Sequence, residues 1–185
     1  MSFFGKKIEG GRWKVFRPYQ ESKHYIFGVD ASSGKEGANE AVCMGLCIED
    51  GHQACILAGA VTPDEMLAEV IKVATSYGTA EVAVENELYG STVIIGLKSQ
   101  NYPSIYFHNE ALDGMSGFSR VYGWNARKYR QTAIDWLRQD IGYCASTTLS
   151  ERNQAVWIHD SGTKDQLKYF ERNRSSGKYE ARRGR

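Results

Sequence analysis

With 185 residues, 42% apolar and 24% charged, and a formal net charge of +1, the chain is long enough for one packed core and has a globular balance. No apolar run approaches the roughly 18–20 residues of a membrane span, and no signal-peptide h-region opens the chain, so neither a helical membrane protein nor an exported one is expected. Cys43, Cys47, Cys55 and Cys144 lack the spacing of a zinc finger or a disulfide framework and read as residues of a reducing compartment.

The charge is unevenly spread. Residues 1–24 carry a net +4, residues 168–185 a net +5, and the middle −8. Basic ends around an acidic middle fit either solvated tails or phosphate contacts flanking a metal centre.

Residues 1–23 read as a lead-in segment or linker, with Trp13, Phe16 and Tyr19 apolar enough to pack on the body. The first predicted strand is 24–30, ending Tyr25-Ile26-Phe27-Gly28-Val29-Asp30 before Ala31-Ser32-Ser33-Gly34. An apolar run that closes on a carboxylate and breaks into small residues delivers Asp30 to the mouth of a sheet. Strands at 41–48 and 53–61 follow, joined by a two-residue turn at Asp50-Gly51. Short connections make these three strands antiparallel.

Thr62-Pro63-Asp64-Glu65 predicts a capped helix start, and Met66, Leu67, Val70, Ile71 and Ala74 recur at helical spacing up to a stop at Gly78. A fourth strand, 80–84, again runs into an acid, Glu85. A helix is predicted over 91–99 and a fifth strand over 103–107. Residues 108–125 read as a long, mobile, glycine-containing loop at the rim of the two acids, with Arg120 and Trp124 as its charge and stacking surface. A helix over 127–140 is capped by Asn125 and turns Ala133, Ile134, Leu137 and Ile141 inward. A short strand at 155–158, a helix opened by a capping box at Thr163 and running through Leu167 and Phe170, and a polar basic tail from Ser175 complete the chain.

Gly28 to Lys35 has the look of a phosphate loop but fails as one. Five residues separate its glycines, and Glu36 stands where a Ser or Thr should be, so ATP hydrolysis is not expected. Taken alone, Asp30 is a turn former as readily as a ligand, and Glu85 a helix cap. The order β-β-β-α-β-α-β changes the weighing, because it is the plan of an RNase H-like α/β domain. Its mixed sheet has three antiparallel strands, then parallel ones added through helical crossovers, with helices on both faces. A right-handed crossover lands the fourth strand beside the first, so Asp30 and Glu85 meet at one edge, where a hydrated Mg²⁺ binds. Glu87 reads as a loop residue or a supporting partner, Asp160 as a cap or loop residue, and His108 and His159 as ordinary polar residues. Arg127, Lys128 and Arg130 either grip a phosphate backbone or form the polar face of the third helix.

These motifs resemble a known family. Tyr25 to Asp30 with Gly34, then Val84-Glu85-Asn86 with Tyr89-Gly90, then Gly123-Trp124 with Arg130, then Asp160 with Gln166-Leu167 and Phe170, resemble the C-terminal nuclease domain of the large terminase subunit of tailed bacteriophages, from about residue 24 onward. The resemblance implies a metal-dependent endonuclease that cuts concatemeric viral DNA during genome packaging. It implies Mg²⁺ or Mn²⁺, two ions in the complete domain, with Asp30 and Glu85 as catalytic metal-binding acids. Arg120, Trp124, Arg127 and Lys128 are the candidate DNA contacts. Implied partners are double-stranded DNA, an N-terminal packaging ATPase domain in the parent protein, the portal and the small terminase subunit, without a membrane. The implied setting is the cytoplasm of an infected bacterial host, or a prophage.

Two departures accompany the resemblance. Only 24 residues precede the first strand, where the family has an ATPase domain. The family's third acid normally follows a segment like Gly177-Lys178-Tyr179-Glu180-Ala181, about where this chain stops. The expectation is therefore a nuclease domain over 24–185, truncated before its last helix and weakly active or inactive alone. The alternatives are a non-catalytic DNA- or portal-docking module of the packaging motor, and a Holliday-junction-resolvase-like nuclease with the same fold and acid spacing.

Overall fold

A computed structural model describes residues 12–35, 37, 39–111, 117–146, 156–168, 170–172 and 179–181. The elements are β1 (Trp13–Val15), β2 (Tyr25–Asp30), β3 (Ala41–Cys47), β4 (Gln53–Gly59), α1 (Pro63–Ser76), β5 (Glu81–Val84), α2 (Tyr89–Ser99), β6 (Phe107–Ala111), β7 (Phe118–Tyr122), α3 (Ala126–Ser146), α4 (Ser161–Lys168), β8 (Phe170–Arg172) and β9 (Tyr179–Ala181). A mixed five-stranded sheet has the order β1-β4-β3-β2-β5, and β6-β7 and β8-β9 form separate hairpins. Among the described residues no helix is long and apolar enough to cross a membrane.

The sheet follows from period-two patterning. Tyr25, Phe27 and Val29 are buried on one face of β2, while Gly28 and Asp30 are exposed on the other. Ala41, Cys43 and Cys47 of β3 continue the buried face. Met66, Val70, Val73 and Ala74 of α1 and Val93 and Leu97 of α2 join the same core. Side chains of this size stabilise the fold by about 1.5–3 kcal/mol each when fully buried. The two helices also pack on each other, and Gly96 lets α2 come close to Leu67 of α1. Cys43, Cys47 and Cys55 are free and buried, filling this core as small apolar groups.

β2, β3 and β4 are antiparallel in sequence order, and β5 pairs parallel to β2. The helix start at Thr62 forms both halves of its capping box: the Glu65 amide donates to Thr62 Oγ1 at 3.4 Å, and Glu65 Oε2 accepts from the Thr62 amide at 3.0 Å. Asn125 caps α3 by accepting from the Lys128 amide at 3.0 Å.

Several expectations need correction. The β3–β4 connection is longer than a two-residue turn. A bulge follows Gly45, the Cys47 amide donates to His52 O, and Gly51 takes φ +65°. The lead-in segment supplies an edge strand, because Trp13 is 1% exposed and β1 pairs with β4. The 103–107 strand shrinks to one parallel bridge, Val82 with Ile105, and the 155–158 strand to a bridge between His52 and Trp157. Residues 108–125 are largely a hairpin, β6-β7, where a loop was expected. Ala133 of α3 is exposed, where an inward position was expected, and Ile141 lies where side chains are outside the described set. α4 starts at Ser161, three residues early, because Asp160 and not Thr163 is its cap: Oδ2 accepts from the Thr163 amide at 2.8 Å. Phe170 begins β8, and Tyr179–Ala181 of the expected tail pair with it.

Candidate active site

Strand order places the two acids. Val29 and Val84 are partners in the parallel β2–β5 ladder, and the Glu85 amide donates to Val29 O at 2.9 Å. Asp30 and Glu85 therefore leave the sheet side by side at the same end. Their carboxyls line one cleft and act on each other electrostatically. Asp30 is held above its ordinary carboxylate range first by loss of solvent, against the lowering effects of Glu85 and Arg130. Glu85 is also held up, first by burial and then by the Asp30 charge, with Arg130 opposing. Two carboxyls in contact cannot both ionise without repulsion, so the pair holds a proton more readily than two separate acids would.

The pair opens into a cleft of about 480 Å³, lined by Asp30, Ser32, Ser33, Glu85, Glu87 and Arg130 among others. Gly28, on the same face of β2 as Asp30, borders open space: a Cβ there would meet nothing within 4 Å. Arg130, from the basic N-terminal half of α3, stands in one wall. Arg130 lies 3.9 Å from Glu85 Oε1 and Arg127 2.8 Å from Glu87 Oε1, while Lys128 reaches Glu110 at 3.7 Å. The backbone is tightly fitted behind the acids. A Cβ on Gly90 would collide with Glu85 O, and one on Gly123 would fall 2.5 Å from Val84 O, with φ already at +80°. Leu88, at φ +40° and ψ −105°, is an unusual backbone conformation for a branched residue.

The remaining predicted residues divide. Trp124 joins the site through its backbone: its amide donates to Val84 O, and its carbonyl accepts from the Asn86 amide. Arg127 and Lys128 stand on α3 beside the cleft without lining it. Arg120 does not line it either; its guanidinium sits 4.1 Å over the Phe107 ring, in a second cavity. Asp160 is not near the acids. It caps α4 and binds Lys14 at 2.8 Å.

Comparison with solved structures adds the fold. The large terminase nuclease of thermophilic phage G20c with bound magnesium superposes at a TM-score of 0.63 and 19% identity, over 98% of this chain and 83% of that one. The same nuclease with bound zinc superposes at 0.58 and 18% identity, over 91% and 81%. The large terminase nuclease domain of Thermus phage P74-26 superposes at 0.58 and 17% identity, over 95% and 78%. The fold is that of these large terminase nucleases. No protein-family model matches the chain, and no curated protein matches it in sequence.

Within the terminase-nuclease fold, Asp30 and Glu85 offer the hard oxygen donors that suit a hard divalent cation. A cation would also relieve the mutual repulsion of the pair. Among the described residues no group of three His, Cys, Asp or Glu has the arrangement of a complete metal site. Arg130 joins the cleft although the sequence pointed to Arg127 and Lys128 first. Its signal was available, since it lies three residues beyond Arg127 and so on the same stripe of α3.

Proposed function

We propose that the chain is an RNase H-like, metal-dependent endodeoxyribonuclease domain of the large terminase type, extending over about residues 24–185 and cutting double-stranded DNA during viral genome packaging. The observation that supports this most directly is the Asp30–Glu85 carboxyl pair, set side by side at the ends of adjacent parallel strands in an open cleft, on a fold shared with nucleases solved with magnesium, zinc and cobalt. Asp30 and Glu85 would hold Mg²⁺ or Mn²⁺. Such an ion, when bound, supplies a Lewis acid that activates water and stabilises a leaving 3′ oxygen. Arg130 stands near Glu85 and Arg127 pairs with Glu87, so each acid has a cation beside it. Arg127, Lys128 and Arg130 give that wall a positive face for the phosphate backbone, which makes DNA affinity salt-dependent and largely sequence-independent. In this reading the partners are a packaging ATPase domain, the portal and the small terminase subunit, in an infected bacterial cell.

Two measurements test it together: plasmid nicking in Mn²⁺ and calorimetric titration with Mn²⁺, each on wild type, Asp30→Asn and Glu85→Gln. Loss of nicking and of ion binding in both variants is expected. Equal nicking by wild type and Asp30→Asn sinks the assignment. Among the described residues no group of three His, Cys, Asp or Glu is placed to hold an ion, which supports a second reading, a non-catalytic DNA- or portal-docking module. Wild-type protein that takes up no Mn²⁺ at millimolar concentration would select it.

A further inference from the structure

The β6-β7 hairpin has two unlike faces. Its register pairs Phe107 with Tyr122, Asn109 with Arg120 and Ala111 with Phe118, so these six share one face and His108, Glu110, Ser119 and Val121 the other. The second face is turned towards α3: the His108 ring meets Tyr129 edge-on at 6.3 Å, and Glu110 pairs with Lys128. The first face looks outward. Phe118 is 73% exposed and Phe107 39%, with Asn109, Ala111 and Arg120 exposed beside them.

At the foot of that outward face lies a cavity of about 370 Å³, lined by Lys98, Asn101, Tyr102, Phe107, Arg120 and Tyr122 among others. No carboxylate is in its lining. Two cations rest on its rings: Arg120 sits 4.1 Å from the Phe107 centroid, and Lys98 4.6 Å from the Tyr122 centroid. Among the described residues neither cation makes an ion pair. A cation parked on an exposed ring gains only about 0.5–1 kcal/mol, much less than a charge-assisted bond to phosphate offers. The groove is thus built of flat rings, unneutralised cations and neutral amide groups. Ring, cation and ring succeed one another along β7, with the two ring positions about 13 Å apart.

We infer that this outward face binds single-stranded nucleic acid, with bases stacking on Phe107 and Phe118 and backbone phosphates on Arg120 and Lys98. The missing acids and the unpaired cations select a polyanion over an apolar protein partner. The exposed rings select unpaired bases, because a duplex keeps its base faces inside the stack. This surface is separate from the acid cleft, with which it shares no lining residue. Leu88 and Tyr89 line the cleft at one end of α2, and Lys98 lines the groove at the other, about 15 Å along the helix. The inference therefore stands whether or not the cleft cuts DNA.

The test is fluorescence anisotropy of labelled oligothymidylate with the full chain in EDTA, where no cleavage intervenes. Phe118→Ala, a change at an exposed ring that leaves the core intact, should weaken binding about 10-fold. Arg120→Gln should weaken it and flatten its salt dependence, and a blunt duplex of the same length should compete poorly. The inference is overturned if oligothymidylate does not bind, if Phe118→Ala binds it like wild type, or if duplex competes equally. It is overturned as well if sedimentation shows a dimer that Phe118→Ala dissociates, since a second copy would then be what covers this face.

Discussion

Asp30 and Glu85, at the ends of adjacent parallel strands, bring two acidic groups together in one cleft. The contact is a local cost to the fold, kept at a place where a cation would turn it into an asset. Stability and function should therefore respond in opposite directions to the same substitution.

Asp30→Asn is expected to raise stability in EDTA by about 1 kcal/mol, because an amide can donate to Glu85 without sharing its charge. Under the proposed function, the same change lowers DNA nicking at least about 100-fold. Excess Mn²⁺ should stabilise the wild type by about 2.7 kcal/mol at about 100 times its dissociation constant, and the variant by far less. Urea unfolding with and without Mn²⁺ reads both effects. A variant less stable than wild type in EDTA contradicts the account of the pair.

Two glycines near the site should behave differently. Gly90→Ala drives a methyl into Glu85 O, where the backbone leaves no room for it, and should cost about 3 kcal/mol. Gly28→Ala places its methyl in open space on the cleft side of β2 and should change stability by less than about 0.5 kcal/mol. Thermal melts of the two proteins decide this. Equal losses would mean that β5 and α2 are not joined as tightly as described.

Thr62→Ala removes the side-chain acceptor of the α1 capping box and should cost about 1 kcal/mol, measured by chemical denaturation. Glu65 also holds Arg12 at 2.8 Å, so the loss should be accompanied by faster amide exchange in the first turn of α1.

The joint between β4 and the segment before α4 should be sensitive to pH. His52 Nδ1 and His159 Nε2 are 2.9 Å apart, and their rings stack at 5.1 Å. Both rings are held below the ordinary histidine range, first by burial and then by Arg17. A folded-state pKa below the unfolded value means that the unfolded chain takes up protons first. Stability is therefore full above about pH 6.5 and declines as pH falls through that value towards the lower folded-state pKa. Hydrogen exchange at the Gln53 and Trp157 amides, corrected for intrinsic rates, should show more opening at about pH 5 than at neutral pH. His159→Gln should flatten that difference; an unchanged pH dependence would place its origin elsewhere.

Much of the half up to Ser99 was legible because its signals are local or topological. The alternation in β2 and β3 and the Thr62 capping box involve neighbours in sequence. The meeting of Asp30 with Glu85 needed only strand order and the handedness of a crossover. The hairpin was missed for a physical reason. Phe107, Phe118 and Tyr122 lie on its outer face, so the usual equation of apolar with inward fails there. Gln53 was equally hidden: it is buried within β4, and its Oε1 accepts from the His159 and Asp160 amides at 2.7 and 2.8 Å, partners that no local pattern announces. Arg130 reached the site because the Asn125 cap fixes the phase of α3, a detail of one hydrogen bond.

The parallel pairing of β2 with β5 also governs when the site comes into being. The β2–β3 and β3–β4 contacts close over short stretches of chain and are the early, fast kind, whereas β5 reaches β2 only after α1 has crossed over the sheet. A chain with only its hairpins formed has Asp30 at a strand end and no Glu85 beside it. Carboxyl contact thus marks the completion of the domain, and a partly folded chain, however much strand it contains, holds no paired acids with which to engage a cation or a phosphodiester.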